Sequence, residues 1–565
     1  MASESRTSLT ASEALPLATT DKMTEISTSV QDMTEIADAH TVAQDKADDV
    51  EALPAYSLCQ ESQGNSVTPD IEKAILETGA AVSSTDDNAV DSTNGNAEFI
   101  VWWQEPVEQD SENPQNWTSR RKWSIITMLS FITFLTPLAS SMLAPGVPQL
   151  LAEFGDTSDT DATFVVSIFV LGFAFGPLVI APMSEIYGRL IVYHICNSLF
   201  VVFTILCAIA KDINALLAYR FCAGFAGVAV VTCGGGSIAD LMPTEKRAGA
   251  MAIWSLGPLL GPVIGPVAAG FLVEAANWRW VFWVIAIAAG LATFLSFFVL
   301  RETYAPVILL KKAARLRKET GDSRYRSKLD SLESHKAIFI KAIVRPIRMF
   351  CRAPVVAATC TYIAVMYGLL YILFTTFTFV YRDIYGFSSI GAGLSFVAAG
   401  LGNVVGVAYT GILSDKIVKH MKAQGRVSTA EDRLHFLLTV PASLLLPVGL
   451  IIYGWTADKH VHWIVPMIGT GVMGVGMIGI MMCVQTYLVD AYTVHAASVM
   501  AANSVLRSTL GALLPLCGLQ LYDAIGLGWG NTLLGGIALV LAPILWLLRI
   551  YGERIRKNPR FQVEF

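Results

Sequence analysis

The sequence predicts an all-α polytopic membrane protein with twelve transmembrane helices in two six-helix halves. Three observations carry that reading. Hydrophobic residues make up 53% of the 565-residue chain and charged ones only 15%, with a mean hydropathy of +0.52, values rare in a soluble domain of this length. The apolar residues come in repeated blocks of about 20, the length at which a helix rising about 1.5 Å per residue crosses about 30 Å of hydrocarbon. The blocks fall as six, a long polar interval and six more.

Residues 1–112 read as a disordered acidic tail, poor in aromatics, with no apolar block and no basic-then-apolar leader, and so expected to stay uncleaved. Its first 100 residues hold 19 acidic and four basic side chains, net −15 against −6 for the whole chain, so the remainder is basic, +9. The many Ser and Thr residues suit regulation by phosphorylation, beside the plainer reading of a solvated extension.

The N-terminal half, 113–300, holds predicted spans at Trp123–Pro148, Ala162–Tyr187, Leu190–Ala210, Ala215–Leu241, Gly249–Ala275 and Trp280–Leu300. A basic central loop, 301–352, carries 14 Lys and Arg. The C-terminal half, 353–550, holds Pro354–Tyr381, Ile390–Leu413, Leu434–Trp455, Trp463–Val489, Ala496–Leu521 and Thr532–Ile550, followed by a tail at 551–565. Cations concentrate in the central loop and in the interval with Lys416, Lys419, Lys422, Arg426 and Arg433, whereas GDTSDTDAT at 155–163 has none. The excess of Lys and Arg places both termini and the central loop in the cytoplasm. Within that loop ILLKKAARLRK, 308–318, reads as an amphipathic helix on the inner leaflet or a solvated basic linker.

Several chemistries are excluded. The sequence shows no His-Glu-x-x-His, Walker loop or paired His cluster, so no catalytic residue, metal site or cofactor is expected, and no ATP-driven pump. The nine cysteines are scattered, mostly inside spans, and read as packing residues. The sequon at Asn116-Trp117-Thr118 falls on the side expected to be cytoplasmic, which disfavours glycosylation.

Ionisable groups inside spans are functional candidates because their burial is costly. Arg507 lies near the middle of span eleven and Arg220 a turn or more into span four, while the acids gather at span ends. A cavity with cations and no carboxylate at depth suits a neutral, amphipathic or anionic cargo better than a polyamine. In span seven Tyr367, Tyr371, Thr375 and Thr378 recur at three and four residues on one helical face. With Gln485 and Asn503 these make the candidate cavity Arg220, Tyr371, Thr375, Gln485, Asn503 and Arg507. Asp490 and Glu185 are the candidate proton carriers. Span five carries Gly257-Pro258, Gly261-Pro262 and Gly265-Pro266, with the glycines at i, i+4 and i+8. That stripe lets a neighbouring backbone approach, and the prolines loosen the helix, as a gating or domain-interface helix requires.

The same stretch, GPLLGPVIGPVAAG at 257–270, resembles the antiporter signature of major facilitator superfamily drug:proton antiporters. PMSEIYGRL at 182–190 is similar to the loop signature after span two, YRFCAGFAG at 219–227 to the span-four signature, and GILSDKI at 411–417 to a degenerate second loop copy. With NPQNW at 113–117 and ANSVLRSTLGALLPLCG at 502–518 the pattern resembles the fungal twelve-span branch, over residues 113–550. Glu185 stands where the family has Asp, and Ile186 and Leu190 where it has basic residues. The resemblance implies the major facilitator fold and proton-coupled efflux of drugs or secondary metabolites. It also implies a monomer whose partners are a small-molecule substrate, protons and the bilayer, with no nucleic acid, in the plasma membrane ahead of the vacuolar one. Glu185, Gly188, Arg189, Glu245, Arg247 and Asp415 are then expected to form a cytoplasmic latch. The alternatives are an uptake or facilitated-diffusion carrier for a metabolite or polyamine, and a transporter-like membrane sensor.

Overall fold

The computed structural model describes residues 99–330, 334–425 and 429–561. The expected acidic tail lies outside the described residues up to 98. Eleven helical segments among those described are long and apolar enough to cross a membrane, and the last, Ala496–Arg556, is 61 residues long. At about 1.5 Å per residue that is about 90 Å, far more than one crossing. It breaks at Gly526, whose φ of +79° and ψ of 163° no helix accommodates and which glycine adopts without steric cost.

Beyond Gly526 the chain runs back along span nine: Asn531 lies against Gly454, Gly535 against Pro447, and Arg549 pairs with Asp432. Twelve spans result. They are Ser119–Ser141, Asp159–Tyr187, Arg189–Ala208, Ile213–Gly227 continued by Ala229–Leu241, Thr244–Ala275 and Trp278–Val299. The second half has Pro354–Asp383, Ser389–Ala423, Phe436–Asp458, Ile464–Ala491, 496–525 and 527–556. Most run a few residues beyond the apolar blocks, because a helix does not stop where hydrocarbon ends.

The side that carries the segment 301–352 is called the basic face. The hydrogen bonds described between the halves lie toward the other face: Ile390 N to Glu274 Oε2, 3.3 Å, Gln520 to Thr160, 3.3 Å, and Ser140 with Tyr371, 3.4 Å. Spans five and eight also touch there, Val263 on Gly400 and Pro266 on Gly393.

The basic face corrects two expectations. The disordered tail was expected through 112, yet Phe99–Val101 pairs as a parallel strand with Tyr325–Ser327, and Val101 and Trp103 are buried. NPQNW folds the next stretch: Asn113 Oδ1 accepts from Gln115 N, Asn116 Nδ2 donates to Val107 O and Asp110 O, and Trp117 Nε1 donates to Ser111 O. This presents Asp110 to Lys312 at 3.2 Å, the two side chains 2% and 8% exposed. Burial opposes ionisation of Asp110, but the Gln104 and Glu112 amides and the Lys312 ammonium outweigh it and hold its carboxyl below the usual range.

The helix over 308–318 is real, Ala305–Thr320, but Val307, Leu309 and Ala313 are buried inside the protein, so its apolar face meets protein rather than a leaflet. Lys312→Ala is expected to strand a buried carboxylate and release this strap locally, at a cost of about 3 kcal/mol. Limited proteolysis between 99 and 112 should accelerate in the variant. The strap's stability is full above the unfolded pKa of Asp110 and is lost as pH falls through its depressed folded value, so acidification should likewise expose the wild-type strap.

Candidate transport site and basic-face charge clusters

The two arginines inside spans join one chain of contacts across the halves. Span one ends at Ser141, so the Ser140 carbonyl has no partner within its helix. Arg220 of span four, 1% exposed, donates from Nη2 to that carbonyl at 3.2 Å and to Val166 O at 3.4 Å. The Phe169 and Phe282 rings lie against its guanidinium at 5.3 and 5.6 Å. The Ser140 hydroxyl meets Tyr371 Oη of span seven, the Tyr371 ring lies 5.0 Å from Tyr367, and the Arg507 guanidinium sits 4.7 Å over Tyr367.

Span eleven permits this because Gly511, one turn beyond Arg507, leaves room for the tyrosines: a Cβ there would come within 2.8 Å of the Tyr367 ring. Asn503, one turn before, is buried with neither amide atom hydrogen-bonded, and Arg507 Nε is buried without a partner. Among the described residues no carboxylate pairs with Arg220 or Arg507. The site therefore offers donors in excess of acceptors. Thr375 turns its hydroxyl to its own helix, onto the Tyr371 and Ile372 carbonyls, so it is less available than the spacing implied. Gln485 is half-buried and outside this chain of contacts.

The glycine stripe of span five packs inside its own half. A Cβ at Gly257 would lie 2.8 Å from Phe134 N, at Gly261 2.8 Å from Leu138 N, and at Gly265 2.6 Å from Ser141 Oγ, all on span one. Contact with the other half comes instead from Val263, Pro266 and Gly270. Despite Pro258, Pro262 and Pro266 the helix is continuous from Thr244 to Ala275.

At the basic face the expected latch regroups. Arg189 Nε bonds Asp240 Oδ2 at 2.9 Å, and its guanidinium lies 5.1 Å over Tyr304. The Glu302 carboxylate accepts from the amides of Arg189 and Leu190, the free donors at the start of span three. Gly188 takes φ +95°, which L side chains rarely adopt, and a Cβ there would press on the Glu302 carboxylate. Arg247 caps span four through Ala239 O. Glu185 is exposed and hydrogen-bonds nothing described, with Arg189 and Arg345 as neighbouring charges. The side chains of Glu245 and Asp415 lie outside the described residues.

The other half repeats the device: Arg433, just before span nine, pairs with Asp490 at the end of span ten at 2.7 Å, as Arg189, the first residue of span three, pairs with Asp240 at the end of span four. Asp490 thus sits at the basic face, away from that chain of contacts. Sequence reasoning missed Asp240 and Glu302 as partners. The signal available was the doubled pattern of Arg before the third helix and Asp ending the fourth in each half.

Twelve spans in two six-span halves are the architecture of secondary transporters. The family model for the Major Facilitator Superfamily matches residues 129–515, and the chain belongs to that family. It is 48% identical over 466 residues to the MFS-type transporter penM of Penicillium rubens, covering 82% of this chain and 91% of that one. It is 44% identical over 465 residues to the efflux pump radE of Floropilus chiversii, covering 82% and 86%, and 49% identical over 504 residues to the MFS-type transporter tndD of Aspergillus flavipes, covering 88% and 91%. Among solved structures, a bacterial homologue of the human lysosomal transporter Spinster aligns with TM-score 0.57 at 14% identity over 78% of this chain and all of that one. A D-xylose–proton symporter aligns at 0.56 and 16%, covering 75% and 97%. Both show the fold alone.

Proposed function

We propose that the chain exports small amphipathic molecules, neutral or anionic, in exchange for protons, by alternating access in the plasma membrane with both termini cytoplasmic. The observation that carries this reading is the Arg220–Ser140–Tyr371–Tyr367–Arg507 chain, with two deep cations and no carboxylate partner among the described residues. Substrate entering between Asn503, Arg507 and the tyrosines supplies the missing acceptors and loosens the Ser140–Tyr371 contact that holds the halves together. The relative radE is named as an efflux pump, which supports the outward direction. Lys and Arg placement supports the orientation. In this reading 99–112 belongs to the fold, the halves end near 300 and 556, and 301–352 is a structured linker. Proton exchange falls to Asp490 and Glu185 at the basic face, where the Arg433–Asp490 pair breaks and re-forms in each cycle.

Purified protein in liposomes with an imposed pH gradient tests the reading against a panel of amphipathic acids, their neutral amides and a polyamine. Gradient-driven accumulation of acids or neutral compounds is expected, and uncoupled transport or robust polyamine transport overturns it. A unit charge a few ångströms from a ligand shifts affinity by about one to a few kcal/mol at an effective dielectric near 20. Arg507→Gln should therefore weaken acids about tenfold or more and leave amides nearly unchanged. Equal losses for both would assign Arg507 to bracing rather than recognition.

A further inference from the structure

Helix His335–Arg352, which crosses the basic face just before span seven, has three faces. Pro346 and Met349 are buried against the protein. Tyr187, at the end of span two, lies 6.4 Å from His335, ring to ring, and the helix also contacts span eleven, so it touches both halves. On a second face Ile340, Val344 and Ile347 are exposed at 60%, 38% and 57%, one stripe at about 100° per residue. Lys341, Arg345, Arg348 and Arg352 follow on the adjoining flank, and Lys336 borders the other side of the stripe. Lys336, Arg348 and Arg352 have no carboxylate partner among the described residues.

We propose that this helix lies in the plane of the membrane surface and binds anionic phospholipid headgroups. Its position fits, because Arg352 is two residues from Pro354, where span seven enters the bilayer. The stripe then sits at the acyl boundary while the cations meet headgroup phosphates and carboxylates. An acidic protein segment, including residues 1–98 of this chain, would pair with the cations but has no apolar block to cover Ile340, Val344 and Ile347. Because the helix touches spans two and eleven, headgroup binding bears on how the two halves meet at the basic face.

The test uses the full chain with Cys59→Ser, Cys351→Ser and Cys517→Ser, a polarity-sensitive dye on Ile340→Cys, and nanodiscs of phosphatidylcholine with or without about one-third phosphatidylserine. Phosphatidylserine should shift the dye emission to the blue and make it quenchable by nitroxide lipids. Combining Lys336→Gln, Arg348→Gln and Arg352→Gln should cut the phosphatidylserine-dependent shift at least severalfold while the protein still reconstitutes. Deleting residues 1–90 should leave the shift intact. An unchanged dye in phosphatidylserine discs, a shift that survives the triple variant, a shift that needs the tail, or one reproduced by inorganic phosphate in phosphatidylcholine discs would each overturn the proposal.

Discussion

Gly261→Leu is expected to abolish transport while the chain still reaches the membrane. The cause is steric: a Cβ at 261 would already lie 2.8 Å from Leu138 N and 3.0 Å from Pro137 Cβ, and backbone atoms cannot swing aside. Close helix approach through small residues is how membrane helices pack without a hydrophobic driving force between them. Leucine must push span one away from span five, at about 1–3 kcal/mol of overpacking. That displacement moves Ser140, whose carbonyl holds Arg220 and whose hydroxyl meets Tyr371. The loss is therefore functional before it is structural. Gly261→Ala, adding only the Cβ, should retain part of the rate. Pro262→Ala should be milder still, since it restores an amide that can bond the Pro258 carbonyl. Initial rates in proteoliposomes, normalised to folded protein, check the series, and a normal rate in Gly261→Leu would refute it.

Arg189→Ala is expected to slow exchange between conformations by about tenfold to a hundredfold with substrate affinity little changed. The variant leaves Asp240, 22% exposed, without its charged donor, and uncovers Tyr304. A hydrogen bond to a charged group contributes about 1.5–3 kcal/mol, and each 1.36 kcal/mol on a barrier is about tenfold in rate. Asp240→Ala should match it, and the double variant should cost less than the sum, because the two report one interaction. Glu185→Gln should be mild by comparison, since Glu185 makes no described hydrogen bond. Collapse of affinity with exchange untouched would place the pair in a binding site instead.

The spans were legible because a bilayer demands length and apolarity, and both are written in consecutive residues. The site was legible in part for a related reason. A cation inside an apolar block stands out, so Arg220 and Arg507 announce themselves, and so does the tyrosine face of span seven. What stayed hidden depends on distant chain segments meeting. Arg189 and Asp240 are far apart in sequence, as are Phe99 and Tyr325, and nothing local marks either pair. The glycine stripe correctly signals a close backbone, yet its partner could not be read, and it is span one rather than the other half. Helices 305–320 and 335–352 are both basic and amphipathic. Only packing shows that Leu309 and Ala313 face protein while Ile340 and Ile347 do not.

Alternating access requires the halves to part at the face opposite the basic one. The most direct measurement joins Glu274→Cys on span five to Ile390→Cys on span eight, where Ile390 N now meets Glu274 Oε2 at 3.3 Å, with a short bis-methanethiosulfonate, whose two disulfides form by loss of sulfinate and are reducible, in reconstituted protein. Single-cysteine variants treated alike serve as controls. Alternating access predicts that the cross-linked protein stops transporting and recovers when the link is reduced. Full transport by fully cross-linked protein would contradict it.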